Sequence, residues 1–182
     1  MKTQKELCVL LVVLLSLIGC SSVPNRVVEI QIPNTCVSSD SIDDDGNLVA
    51  EVLLDSSINV LKGHNESPHV VWEPVEGAVY YAVCMFDTNA SWLHWIALNI
   101  EGTELRQGEY TSRDDYIGPY PPRDSGFHYY RIEVFALREA VDGRVKLNSK
   151  QAYGDIENLL DTSASGEGNI IARGNVVGKH KN

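Results

Sequence analysis

The chain has no apolar run long enough to cross a membrane comfortably. The longest, Cys8 to Gly19, falls well short of the roughly 20 residues a spanning helix needs. Positive charge is scarce, with 15 Lys and Arg against 25 Asp and Glu for a net charge of −10. So acidic a chain lacks the basic footprint of a nucleic-acid binder, and nucleic acid is excluded as a partner. Cysteine is scarce too, at four residues, and no Cys/His cluster has metal-ligand spacing, so no metal or other cofactor is expected. No G-x-S-x-G motif occurs, and nothing in the sequence gives Cys84, Ser67 or Ser91 an activating partner. A non-catalytic role is expected. There is no internal repeat and no low-complexity domain.

The N-terminus reads as an export signal. Lys2 and Lys5 form a short basic segment, the apolar run follows, and Leu17-Ile18-Gly19-Cys20 closes it. This resembles a bacterial lipoprotein signal, which implies cleavage after residue 19 and acylation of Cys20, palmitate included. Several acyl chains at about 0.8 kcal/mol per buried CH₂ hold a protein at a membrane without a span. Residues 1–19 are thus assigned to the signal, 20–26 to a lipidated tether and 27–182 to the domain. Ser21 after the cysteine implies sorting to the outer membrane. Losing Lys2, Lys5 and Glu6 takes the net charge from −10 to −11, so electrostatic attraction to anionic lipid is not expected to contribute. The remaining 163 of 182 residues suit one domain, burying roughly 70% of its unfolded surface. Cys36 and Cys84 are left in an oxidising setting, either joined as a disulfide or, for Cys84 within apolar AVYYAVCMF, held as a buried thiol.

The domain reads as mainly β. VVEIQIP (27–33) alternates as a strand does, and NLVAEVLLD (47–55) is expected to be a return strand after a turn at Asp44-Asp45-Gly46-Asn47. The aspartates there do not make a calcium loop, because an EF-hand frame starting at Ser41 puts Val52 at position twelve. VYYAVCMFD (79–87) and LHWIALNI (93–100) are strands, the second apolar on both faces and so central or sandwiched. After the stiff loop Gly118-Pro119-Tyr120-Pro121-Pro122, period-two alternation puts His128, Tyr130, Ile132, Val134 and Ala136 on one strand face. Residues 149–161 have helical spacing with Ser149 as N-cap. NIIARGNVVG (169–178) is the last strand, and KHKN is expected to be a polar tail with His180 mobile. The sum is a β-sandwich with a short helix near the C-terminus.

Three blocks fall in order: Gly63-His64-Asn65-Glu66-Ser67-Pro68 ahead of Trp72, Asp87 with Trp92-Leu93-His94-Trp95, and Gly118 to Pro122 with Gly126-Phe127-His128-Tyr129-Tyr130. Together they resemble the phosphatidylethanolamine-binding protein family, in its bacterial, Raf kinase inhibitor-like branch. The resemblance covers about residues 60–180. It implies a pocket for a small anion, phosphate or a phospholipid headgroup, formed by Asp87, His94, Tyr120, Pro121, Pro122, His128 and Tyr130, with Trp92 on the wall. Where the family has Asp-Pro-Asp-x-Pro, this chain has Asp87-Thr88-Asn89-Ala90-Ser91. That implies a less negative pocket and a less stiff rim. Two imidazoles and a phenol can each donate to an anion's oxygens, with Asp87 orienting a histidine. The other reading is a protein-interaction module that inhibits or docks on a protease, kinase or other envelope protein. It would use the pocket rim and the tyrosine-bearing loop Tyr110–Tyr120 as a contact surface.

Overall fold

A computed structural model describes residues 33–57, 59–143, 145–147, 150 and 153–182. The signal, the tether, the 27–33 strand as far as residue 32 and the Ser149 cap lie outside the described residues. Gln31–Asn182 make one compact unit.

Seven strands and one α-helix are described. They are β1 (Val37–Ser38), β2 (Val70–Trp72), β3 (Tyr80–Asp87), β4 (Trp92–Ile100), β5 (Glu104–Leu105), β6 (His128–Leu137), α1 (Tyr153–Asp161) and β7 (Ile170–His180). They form a small sheet ordered β1-β2-β5 and a larger one ordered β4-β3-β6-β7. All the pairings within these sheets are antiparallel. The architecture is therefore a mainly β sandwich with a short helix near the C-terminus.

The alternation in β6 sorts its side chains as expected. Tyr130, Ile132, Val134 and Ala136 join Trp72, Met85 and Trp95 in the cluster that includes both sheets. Phe135 and Leu137 point the other way, with Cys84, Phe86 and Leu93, into a second cluster that includes Ile156 and Leu160 of α1. β4 is sandwiched rather than central. It ends the sheet order, yet sends Trp95 and Ala97 into one cluster and Leu93 into the other.

Four expectations are corrected. The 47–55 return strand does not form: Ala50–Val52 make a 3-10 turn. Val52, Leu53 and Leu54 are all buried in succession, which a strand with one solvated face cannot achieve. Their backbone passes between Gly63 and Gly118, where a β-carbon at either glycine would overlap main-chain atoms of residues 52–54. Secondly, β7 runs on through His180, which pairs with His128 and is buried, so the segment after Gly178 is not a mobile tail. Thirdly, Cys36 and Cys84 are free thiols, one exposed and one buried in β3. Cys84 faces the helix-side cluster, whereas Cys36 sits beside β1 of the other sheet, so a bridge would have to pass through packed core. Finally, the helix begins at Tyr153. Lys150 instead forms a bridge with Trp92.

Candidate functional site

One end of the sandwich holds a cavity of about 350 Å³, lined by Asp87, Ala90, Trp92, His94, Tyr120, Pro121, Pro122, His128 and Tyr130. All eight residues expected to form a pocket are brought together, and Ala90 joins them. β3 and β6 are paired so that Asp87 stands opposite Tyr130, which turns both side chains to the inner face. β4 returns from the hairpin to supply Trp92 and His94.

Asp87 is 4% exposed, and both of its oxygens are occupied. Oδ1 accepts from the backbone N–H groups of Asn89 (2.9 Å) and Ala90 (3.0 Å). Oδ2 accepts from His128 Nδ1 at 2.7 Å. Thr88 Oγ1 donates to the Tyr129 carbonyl, and Asn89 Oδ1 accepts the Tyr129 N–H at 3.0 Å. Asn89 thus ties the turn to β6 and is not among the residues lining the cavity.

His128 has a partner at each ring nitrogen. Ser125 gives its single hydrogen to the Pro122 carbonyl (2.7 Å), which leaves a lone pair facing His128 Nε2 at 3.1 Å. His94 is 3% exposed. Its Nδ1 lies 2.6 Å from the Ile117 carbonyl and must carry the hydrogen there. Burial pushes the His94 pKa down, with the Ile117 bond and the Asp87 charge acting in the opposite sense. The ring is therefore neutral near pH 7, and Nε2 is an acceptor until a proton arrives. The rings of Tyr130 and Tyr120 stand edge-on to it, with centroids 5.4 Å and 6.0 Å away.

Tyr130 supplies the unused donor. The residue is 0% exposed, and its hydroxyl has no hydrogen-bond partner. Burial raises its pKa, with the charge of Asp87 adding to the shift, so the phenol stays protonated. A buried hydroxyl without a partner costs about 1–3 kcal/mol, a cost that an acceptor entering the cavity would relieve.

The proline loop is placed by residues that sequence reasoning did not single out. Asn65, at φ 57°, accepts the Gly118 N–H at 2.9 Å and donates to the carbonyls of Tyr116 and Thr111. Asn59 donates to the carbonyls of Leu54 (2.7 Å) and Pro119 (2.9 Å). In the Tyr110–Tyr120 loop, Thr111 to Asp115 are exposed while Tyr116 is buried. Tyr110 and Tyr116 pack on Trp95, and Tyr116 hydrogen-bonds the Val52 carbonyl at 2.6 Å. Among the described residues no group of three or more His, Cys, Asp or Glu could hold a metal.

A family model described as Phosphatidylethanolamine-binding protein matches residues 38–180. The chain belongs to that family. A UPF0098 protein of Aquifex aeolicus is 30% identical to this chain over 139 residues, which is 65% of this chain and 76% of that one. A candidate lipoprotein of Mycobacterium tuberculosis, LppC, is 27% identical over 128 residues, 60% of each chain. The fold matches the crystal structure of E. coli YbcL, described as a new member of the mammalian PEBP family. The TM-score is 0.63 at 22% identity, covering 82% of this chain and 99% of that one.

Proposed function

We propose that this phosphatidylethanolamine-binding family member is a lipid-anchored, non-catalytic envelope protein whose cavity binds a small phosphate-bearing anion, free or as a phospholipid headgroup. The observation that carries this reading is the Tyr130 hydroxyl, buried without a partner in the cavity that His94 and His128 line. A phosphate oxygen there would accept from Tyr130, and a second oxygen from His94 Nε2 once that nitrogen is protonated. An entering anion would draw a proton onto His94. The anchored, outer-membrane location rests on the signal-like sequence ending at Cys20, and the similarity to LppC supports an envelope protein.

The test is an NMR titration of residues 21–182 with inorganic phosphate and then phosphoethanolamine. Saturable shifts at residues 87–94 and 118–130, lost in His128→Ala and weakened in Tyr130→Phe, are expected. No shift at millimolar ligand would refute the anion site. Acylation is read separately, by palmitate labelling that Cys20→Ala abolishes.

A further inference from the structure

Ser125 completes a chain of three side chains beside the cavity. Its Oγ lies 3.1 Å from His128 Nε2, and His128 Nδ1 lies 2.7 Å from Asp87 Oδ2. Hydroxyl, imidazole and buried carboxylate are connected as nucleophile, base and orienting acid are in serine hydrolases. Asp87 is firmly held, since its other oxygen accepts two backbone N–H groups and the residue is 4% exposed. It fixes a hydrogen on Nδ1, so the neutral ring has its lone pair on Nε2, on the Ser125 side. The hydroxyl hydrogen rests on the Pro122 carbonyl. Rotation about the Cβ–Oγ bond carries it to Nε2, the arrangement that general-base activation of a hydroxyl requires.

The turn displays this hydroxyl. Asp124 and Gly126, on either side of Ser125, have φ of 61° and 82°, so the chain reverses tightly around it. Ser125 is exposed, and open space surrounds Gly126. A donor can therefore reach Oγ from solvent. Other serines near histidine or in the core differ. Ser39 donates to the His69 carbonyl and not to its ring. Ser41 and Ser67 are 0% exposed, with their hydroxyls on the Gln107 side chain and the Tyr110 N–H.

We propose that Ser125 is a nucleophile that is acylated by a phosphate-bearing activated donor of the acyl phosphate class. The choice of donor rests on the anion-site reading above. His128 both lines the cavity and touches Oγ, so a phosphate held in the cavity places the adjoining acyl carbon next to the group that activates the hydroxyl. Oγ attacks the carbonyl carbon while His128 Nε2 takes the Oγ proton. The bond between the carbonyl carbon and the bridging oxygen breaks, and phosphate leaves with the electron pair and receives that proton. The products are an ester on Ser125 and inorganic phosphate. One bond is made per chain and no turnover is asked of the site, in keeping with a binding protein.

The test is incubation of residues 21–182 with acetyl phosphate, read by intact mass and peptide mapping. An acetyl group at Ser125 is expected, forming at least roughly tenfold faster than at exposed Ser112. Ser125→Ala should lose it, and Ser125→Cys should keep acylation, as a thioester. His128→Gln and Asp87→Asn, each checked as folded by circular dichroism, should slow it roughly a hundredfold. Acetylation at Ser125 no faster than at Ser112, or equally fast in the His128→Gln or Asp87→Asn variant, overturns the inference. p-Nitrophenyl acetate, which carries no phosphate, separates this inference from the anion site. Ser125 acetylated by that ester but not by acetyl phosphate overturns the acyl phosphate class and counts against the anion site. No adduct from either reagent overturns the nucleophile, while saturable phosphate binding in the NMR titration leaves the anion site standing.

Discussion

Asp87 Oδ2 and His128 Nδ1 meet at 2.7 Å, although the register partner of Asp87 is Tyr130 and that of His128 is His180. The diagonal contact links the β3–β4 hairpin to the first residue of β6 and so holds two cavity walls together. Replacing Asp87 with Ala removes the acceptor of two hairpin N–H groups as well as the His128 partner. We expect a loss of about 3 kcal/mol in urea unfolding, and about half that for Asp87→Asn, which retains an acceptor oxygen.

Tyr130→Phe should separate binding from stability. The hydroxyl is buried and unpartnered, so its removal should leave the urea midpoint unchanged or raise stability by up to about 1 kcal/mol. Phosphate affinity should fall roughly tenfold, since a hydrogen bond to a charged group is worth about 1.5–3 kcal/mol. A destabilised variant with unchanged phosphate affinity would contradict both halves.

Stability should decline as pH falls below the ordinary histidine range. Burial lowers the pKa of both His94 and His180. The unfolded chain therefore takes up protons near pH 6.5 that the folded chain refuses. Each histidine contributes up to about 1.4 kcal/mol per pH unit, fully present above that value and lost below it. Glu133, raised by burial, acts in the opposite sense. Its proton is held longer in the folded state, so its contribution is lost as pH rises from its ordinary value through the raised one. Urea unfolding from about pH 7.5 down to 5.5 should show the decline, and His180→Gln should flatten it. Phosphate affinity should run the other way, rising as pH falls, with proton uptake visible by calorimetry in two buffers.

Thiol reactivity should differ sharply between the two cysteines of residues 21–182. Cys36 is exposed and should react at once with a disulfide reagent, whereas Cys84 is buried and its thiol is pushed up by burial and by Glu133. One thiol should titrate in the native protein and two in denaturant.

Gly118→Ala should cost about 3 kcal/mol, because its β-carbon would overlap main-chain atoms of residues 52–54. Gly102→Ala, with open space around it, is the control and should be near neutral. Equal thermal shifts for the two would show that the strap adjusts.

The strands carrying the site were legible because each pairs a periodic apolar face with a clear end. Alternation located β6, and Asp87 and His94 fell at the ends of strands that composition alone marked out. The 47–55 segment misled because apolar content suggested a strand, while the backbone approach of two glycines selected a turn. His180 was missed because a strand with a basic end reads as a tail until its partner strand is placed. Asn59 and Asn65 act on carbonyls 60 and 51 positions away, and a linear pattern carries no trace of such bonds. Asn65 at least lay within one of the three recognised blocks.

The strap at residues 52–54 makes the two ends of the proline loop unequal for anyone reshaping the pocket. At Gly118 the loop is threaded against another backbone and tolerates neither bulk nor extra length. Beyond Pro122 the chain turns outward, with open space around Gly126. Variation in pocket size, whether by natural drift or in a selection library, should therefore fall at Arg123, with Asp124 and Gly126 constrained by positive φ, Ser125 kept for its bond to His128 and Gly118 a fixed point.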